Sequence, residues 1–227
     1  MKQTVLVTGA AGGLGRAVIE KFLKQGWTVL GTYYQSEPTD LKGVERLHWY
    51  DLDVSEPHAV HRAIDEMEKE HGPIQALVHC AGGFRYSRIE ETADEDIEFL
   101  LNANLKSAIL LVRELIPRMK ERNLGRIVLI SSKTAQQAPA GMSVFTATKA
   151  GLVSLTEAVA EEVRSFNINV NCLMPTIIDT PMNRRDMPQA NFNSWVKPTD
   201  LADIILSLTG SWGSPINGAS VSVAGRL

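Results

Sequence analysis

The apolar positions of the chain fall into two alternating rhythms. Short, nearly unbroken runs such as Thr4-Val5-Leu6-Val7 and Arg126–Ser131 read as strands buried on both faces. Longer stretches between them carry apolar residues at three- and four-residue spacing, the signature of a helix with one buried stripe. The pattern predicts strands over Lys2–Thr8, Trp27–Tyr33, Arg46–Tyr50, Ile74–His79, Arg126–Ser131, Asn167–Leu173 and Ser220–Val223. It predicts helices over Gly13–Gln25, Glu56–His71 behind a Ser55 cap, Asp94–Arg122 with a bend near Pro117, Ser143–Phe166, and Thr199–Leu208 capped by Thr199. Such alternation implies an α/β fold whose mostly parallel sheet is covered on both faces. No linker divides it, so residues 1–227 read as one domain. Two irregular stretches stand out, Gly82–Glu91 and Thr176–Pro198. Long loops in compact domains are usually lids or substrate loops, and 176–198 is expected to be a substrate flap.

Composition narrows the class. A net charge of −3 over 227 residues leaves no basic surplus for nucleic acid or an anionic membrane. Cys80 and Cys172 are the only cysteines and form no CxxC pair, which suits reduced thiols and a cytoplasmic location. The first apolar run breaks at Gly9, too soon for a signal peptide, and no run reaches the ~18 apolar residues of a membrane span. His58 and His61 share a helix without the further ligands a metal needs, so no metal is expected. They and Glu66, Glu68, Lys69 and Glu70 are expected to face solvent.

The first strand runs into Thr8-Gly9-Ala10-Ala11-Gly12-Gly13-Leu14-Gly15, and a helix follows. Glycine there permits positive φ and close approach of the backbone, while the helix start offers free N–H groups to a diphosphate. Strand, glycine turn and helix in this order predict a doubly wound, Rossmann-type dinucleotide site. The string has the form TGxxxGxG and resembles the short-chain dehydrogenase/reductase family. Other motifs in the same order extend the resemblance along the chain. They are Asp53-Val54, His79-Cys80-Ala81-Gly82, Asn104-Leu105-Lys106, Pro175, and Thr180-Pro181-Met182. The resemblance implies cofactor contacts at Gly9, Gly13, Leu14, Gly15, Tyr33, Asp53, Ala81, Gly82, Lys149, Pro175 and Thr180. In that family Asn104 would help to hold a water and the active lysine. His79 and Cys80 depart from the usual Asn-Asn. The cofactor is NADP or NAD. Tyr33 and Tyr34 close the second strand, with no acid before Glu37 to bind a ribose 2′-hydroxyl, which favours NADP.

The family works with a serine, a tyrosine, and a lysine four residues after the tyrosine. Ser132 and Lys149 occupy the outer two places, but Phe145 stands at the tyrosine position. A phenyl ring carries no titratable proton, and a lost proton donor typically costs about 10²–10⁴ in rate. Either the chain is a catalytically damaged relative or its substrate needs little acid help. Tyr86 is a candidate replacement phenol.

Ala81-Gly82-Gly83-Phe84, Pro139-Ala140-Gly141-Met142 and the stretch from Asp179 to Trp195 resemble the dihydropteridine reductases. That resemblance implies a quinonoid dihydropterin as hydride acceptor, contacted by Phe84, Tyr86, Met182 and Trp195. Three readings follow, all with a small-molecule substrate. They are a dihydropteridine-reductase-like enzyme, a cofactor-binding protein with little or no catalysis, and a reductase of other carbonyl or imine substrates. Members of the family pair the helices over 94–122 and 143–166 with a second copy. A homodimer or homotetramer is therefore expected, with Ala108, Leu111, Val112, Leu155, Val159 and Val163 either at that interface or on the sheet.

Overall fold

The computed structural model describes residues 3–36, 38 and 41–226. Lys2, expected to open the first strand, and Glu37 lie outside the described residues. Seven strands form one parallel sheet: β1 (Thr4–Thr8), β2 (Thr28–Tyr33), β3 (Leu47–Asp51), β4 (Ala76–His79), β5 (Gly125–Ile130), β6 (Ile168–Pro175) and β7 (Ser220–Val223). Their order across the sheet is β3-β2-β1-β4-β5-β6-β7. The chain turns outward in opposite directions from β1 and β4, so a crevice opens between their C-terminal ends.

Each strand serves two layers because its side chains alternate. Leu6, Leu77, Ile127 and Leu129 point into one core, with α2 (Pro57–His71), α4 (Ser107–Glu121) and α5 (Ser143–Glu162). Val5, Val7, Val78 and Val128 point into the other, with α1 (Gly13–Lys24) and α7 (Pro198–Thr209). The period of two along a strand sends successive residues to opposite faces, which is why the strand runs are apolar throughout. Phe22 on α1 anchors the second core, packing edge-to-face against Trp27 at 5.1 Å. Emptying such a site costs about 3–5 kcal/mol.

Several local expectations are corrected. Ser55 caps no helix, because its hydroxyl and amide both donate to Asp53 Oδ1 and α2 starts behind Glu56 with Pro57 at its first turn. Likewise α7 starts with Pro198 behind Lys197, which leaves Thr199 inside the helix. The long helical region is interrupted by a π-helical segment, Leu101–Lys106, between α3 (Asp94–Leu100) and α4, while Pro117 sits inside α4. Glu68 is not a solvated face residue: it accepts from Ile74 N and pairs with Arg118 and Arg122. His61 reaches across to Glu114 on α4 at 3.0 Å. Of the residues weighed for a subunit interface, Ala108, Leu111, Val112, Val159 and Val163 are buried in the chain's own core, and Leu155 packs on it. Their apolar stripe faces the sheet.

Candidate functional site

The glycine turn and the ends of β1, β2 and β4 enclose a cavity of about 540 Å³. Its wall includes Gly9, Gly13, Leu14, Gly15, Tyr33, Ala81, Gly82 and Thr180 of the expected cofactor residues. Backbone crowding explains the glycines. Gly9 has φ +61°, and a Cβ there would lie 2.7 Å from the Ala81 backbone. A Cβ on Gly15 would collide with the Gly9 carbonyl, so only glycine lets α1 pack down on the turn. This packing sets the start of α1 at the cavity wall, a position from which the first N–H groups of a helix can serve an anion.

Asn104 is fully buried in the π-helical segment. Its amide accepts from Gly83 N at 2.9 Å and donates to Gly83 O and to Thr148 Oγ1. A wide π turn delivers this side chain into the sheet end, a setting in which such bulges recur at functional sites. The residue therefore clamps the Gly82–Gly83 backbone and α5 together, and none of these bonds goes to Lys149. Gly82 is required beneath it, since a Cβ would come 2.7 Å from Asn104 Oδ1.

On α5, Phe145 and Lys149 lie four residues apart and share a face. Lys149 is buried, and its ammonium donates to the Ile130 carbonyl at 2.9 Å. Burial pulls its pKa down to about 8, against an opposing pull from the Cys172 and Cys80 thiols. Its Nζ sits 5.8 Å from the centre of the Phe145 ring. Phe145 in turn meets Phe84 edge-to-face at 5.0 Å, so an apolar aromatic pair lines the place where a proton donor was sought. Ser132, just beyond β5, accepts from Thr134 N and Thr134 Oγ1. Its own hydroxyl hydrogen is left for a further acceptor.

Beneath the crevice lies a buried chain that sequence reasoning missed. His79 is fully buried between Thr8 Oγ1 (2.7 Å to Nδ1) and Ser107 Oγ (3.1 Å to Nε2). Ser107 donates onward to the Ala103 carbonyl. That direction assigns the imidazole hydrogen to Nε2 and makes Nδ1 the acceptor of the Thr8 hydroxyl. Burial holds its pKa down to about 3, with Lys149 acting in the same sense, so the ring is neutral. The only hint in the sequence was a histidine where an asparagine was expected.

Other expected site residues are placed elsewhere. Asp53 spends Oδ1 on Ser55 and is not part of the cavity wall. Pro175 ends β6, buried. Met182 lines the cavity and is exposed. Tyr86 is exposed with its ring laid on Gly141, whose φ of +79° no larger residue would take easily. Trp195 is not available to a substrate. It is 4% exposed and packs against Phe192 at 4.8 Å, because the flap folds back on the body instead of standing off it. The flap carries a short helix, α6 (Pro181–Asp186), which Thr180 caps by accepting from Asn183 N. Among the described residues no cluster offers a metal three or more ligands, both cysteines are free, and no helix is long and apolar enough to cross a membrane.

Residues 3–191 match the short chain dehydrogenase family, and the chain belongs to that family of nicotinamide-dependent oxidoreductases. Its relatives resemble it from end to end. The 3-oxoacyl-[acyl-carrier-protein] reductase FabG of Thermotoga maritima is 29% identical, over 98% of this chain and 96% of its own. The acetoacetyl-CoA reductase of Allochromatium vinosum is 30% identical over 100% and 99%. Among solved structures, ElxO with NADP bound superposes with a TM-score of 0.90 at 26% identity, over 99% of this chain and 98% of its own. A Tyr→Phe variant of ElxO with NADPH bound fits equally well. None of these is a dihydropteridine reductase. The likeness to that enzyme rests on short segments, chiefly 179–195, whereas these relatives match throughout.

Proposed function

We propose that the chain is an NADP(H)-dependent reductase of a small carbonyl or imine substrate, of the kind its full-length relatives named for 3-oxoacyl and acetoacetyl groups act on. The observation that carries this reading is Lys149. A buried ammonium directly behind Gly82 of the cavity wall, 3.4 Å from where a Cβ on that glycine would sit, is suited to holding ribose hydroxyls and polarising a substrate oxygen. The cradle fits the cofactor, because glycine packing sets the start of α1 against the wall of a cavity of about 540 Å³. When bound, the dinucleotide supplies the hydride. Gly13, Leu14 and Gly15 would hold its diphosphate, and Ala81 and Gly82 would border its ribose. The cavity wall at the end of β2 holds Thr32, Tyr33 and Tyr34 and no carboxylate among the described residues, so none of these wall residues repels a 2′-phosphate.

Phe145 sets the limits of the chemistry. A carbonyl oxygen needs a proton as it gains negative charge, and position 145 cannot give one. Lys149, with its pKa near 8, and the free hydroxyl hydrogen of Ser132 are the remaining sources. The Phe84–Phe145 pair favours one second reading. A quinonoid dihydropterin is flat, stacks on aromatic rings and can take its proton from water, and the stretch 179–195 resembles the reductases that use it. Oxidation of NADPH followed with acetoacetyl thioesters, simple imines and quinonoid dihydropterin separates these readings. Turnover of thioester or imine supports the first, and turnover of pterin alone replaces it with the second. Tight NADPH binding with no turnover of any of them leaves a cofactor-binding protein and refutes both.

A further inference from the structure

The flap carries two adjacent arginines with opposite fates. Arg184 is committed: its guanidinium grips both oxygens of Asp179, at 2.5 and 2.8 Å, and lies over the Phe192 ring. Arg185 is exposed, makes no hydrogen bond or ion pair among the described residues, and lines the dinucleotide cavity. The cavity wall holds one other cation, Arg16, whose Nε donates to the Ala11 carbonyl, and no carboxylate among the described residues. A concave site lined by two guanidinium groups and, among the described residues, by no acid favours an anion. The planar, five-donor guanidinium suits phosphoryl oxygens in particular.

The position of α6 narrows which anion. Thr180, at its start, packs directly on the glycine turn, where a Cβ on Gly13 would come 2.7 Å from Thr180 Cγ2. Gly13 opens α1, where a diphosphate is expected to sit. Arg184, anchored to Asp179, holds α6 by its first turns while Arg185 faces the cavity. We infer that Arg185 is a clamp on the cofactor's diphosphate, reaching from the flap to the side of the anion opposite the α1 amides. This rests on the dinucleotide reading above and adds a residue to it. It also gives the flap a task other than stacking on substrate, which buried Trp195 cannot do. Because the diphosphate is common to both cofactors, Arg185 contributes equally to NADPH and NADH.

Calorimetric titration of the full chain with NADPH and with NADH, for the parent, Arg185→Gln and Arg185→Lys, tests this. Loss of a charge-assisted contact predicts that Arg185→Gln weakens both cofactors by about ten- to a hundredfold. Arg185→Lys recovers part of that loss, since a lysine keeps the charge without the fork. The side chain is exposed, so the melting temperature of both variants should match the parent's. Unchanged binding of both cofactors by folded Arg185→Gln overturns the clamp. Weakened NADPH with unchanged NADH also overturns it, placing Arg185 at the 2′-phosphate. A parent that binds neither cofactor sinks the dinucleotide reading itself, which is a different result from a parent that binds while the variant is unaffected.

Discussion

His79 makes the chain sensitive to mild acid, by an amount that can be worked out. The ring is fully buried, neutral, and hydrogen-bonded on both sides. Its pKa is held down to about 3, mainly by burial, against an ordinary value of 6.5. The unfolded chain therefore takes up a proton that the folded chain refuses. The resulting stability is fully present above pH 6.5 and is lost progressively as the pH falls toward 3. The slope approaches 1.4 kcal/mol per pH unit, so a drop from pH 7.5 to 5.0 removes about 2 kcal/mol through this one residue. His79→Asn cannot titrate, and its amide can still accept from Thr8. Urea unfolding of parent and variant at those two pH values, at a single protein concentration, isolates the effect. The parent should lose about 2 kcal/mol more than His79→Asn between them. Equal losses in the two proteins would refute the assignment of a neutral, proton-refusing imidazole beneath the crevice. A variant that unfolds at both pH values would show that the bridge from Thr8 to Ser107 matters more than the ring's charge.

Two further predictions concern the chemistry. Restoring a phenol with Phe145→Tyr should raise turnover of a carbonyl substrate by about 10²–10⁴ and that of a quinonoid substrate much less. Unchanged kcat for both would mean that position 145 does not face the reacting atoms. Lys149→Met should abolish turnover and yet stabilise the fold at pH 7. Relief of a buried ammonium whose pKa is pulled from 10.5 to about 8 outweighs the orphaned Ile130 carbonyl by about 1–2 kcal/mol. The parent should accordingly gain on the variant as the pH rises from 8 toward 10.5, which thermal melts across that range would reveal.

The sheet was legible in the sequence because a parallel strand covered on both faces must be apolar throughout, and short runs of that kind between glycine and polar breaks seldom arise in any other element. The glycine turn was legible for a similar reason, since Gly9 and Gly15 answer to backbone contacts under 3 Å that no side chain could share. What escaped was decided by partners distant in sequence. Glu68 has the local pattern of a solvent-facing acid, and only the arrival of Arg118 and Arg122 from α4 and the turn after it makes it a half-buried anchor. Trp195 has the pattern of a free aromatic in a loop, yet the flap folds onto the body and covers it. The apolar stripe of α4 satisfies a sheet or a second copy equally well by spacing, and contacts within the chain settle it for the sheet. The π-helical turn that aims Asn104 leaves no mark on a three-to-four-residue rhythm, since one widened turn shifts the stripe by a single place.

Lys149 also bears on whether the site is spent. A solitary buried ammonium without a carboxylate partner is a burden on the fold, because removing the charge from water is repaid here by one carbonyl. A methionine of similar length would fill the same space without that penalty. The costly group persists beside a half-buried phenylalanine that can hold no proton, and directly behind Gly82 of the cavity wall. Such an arrangement trades stability for a positioned charge, as functional sites commonly do. Under the proposed function, the missing phenol would slow substrates that need an acid without disturbing the residues proposed to hold the dinucleotide, so NADPH binding and turnover should be lost independently of one another in variants of Phe145 and Lys149.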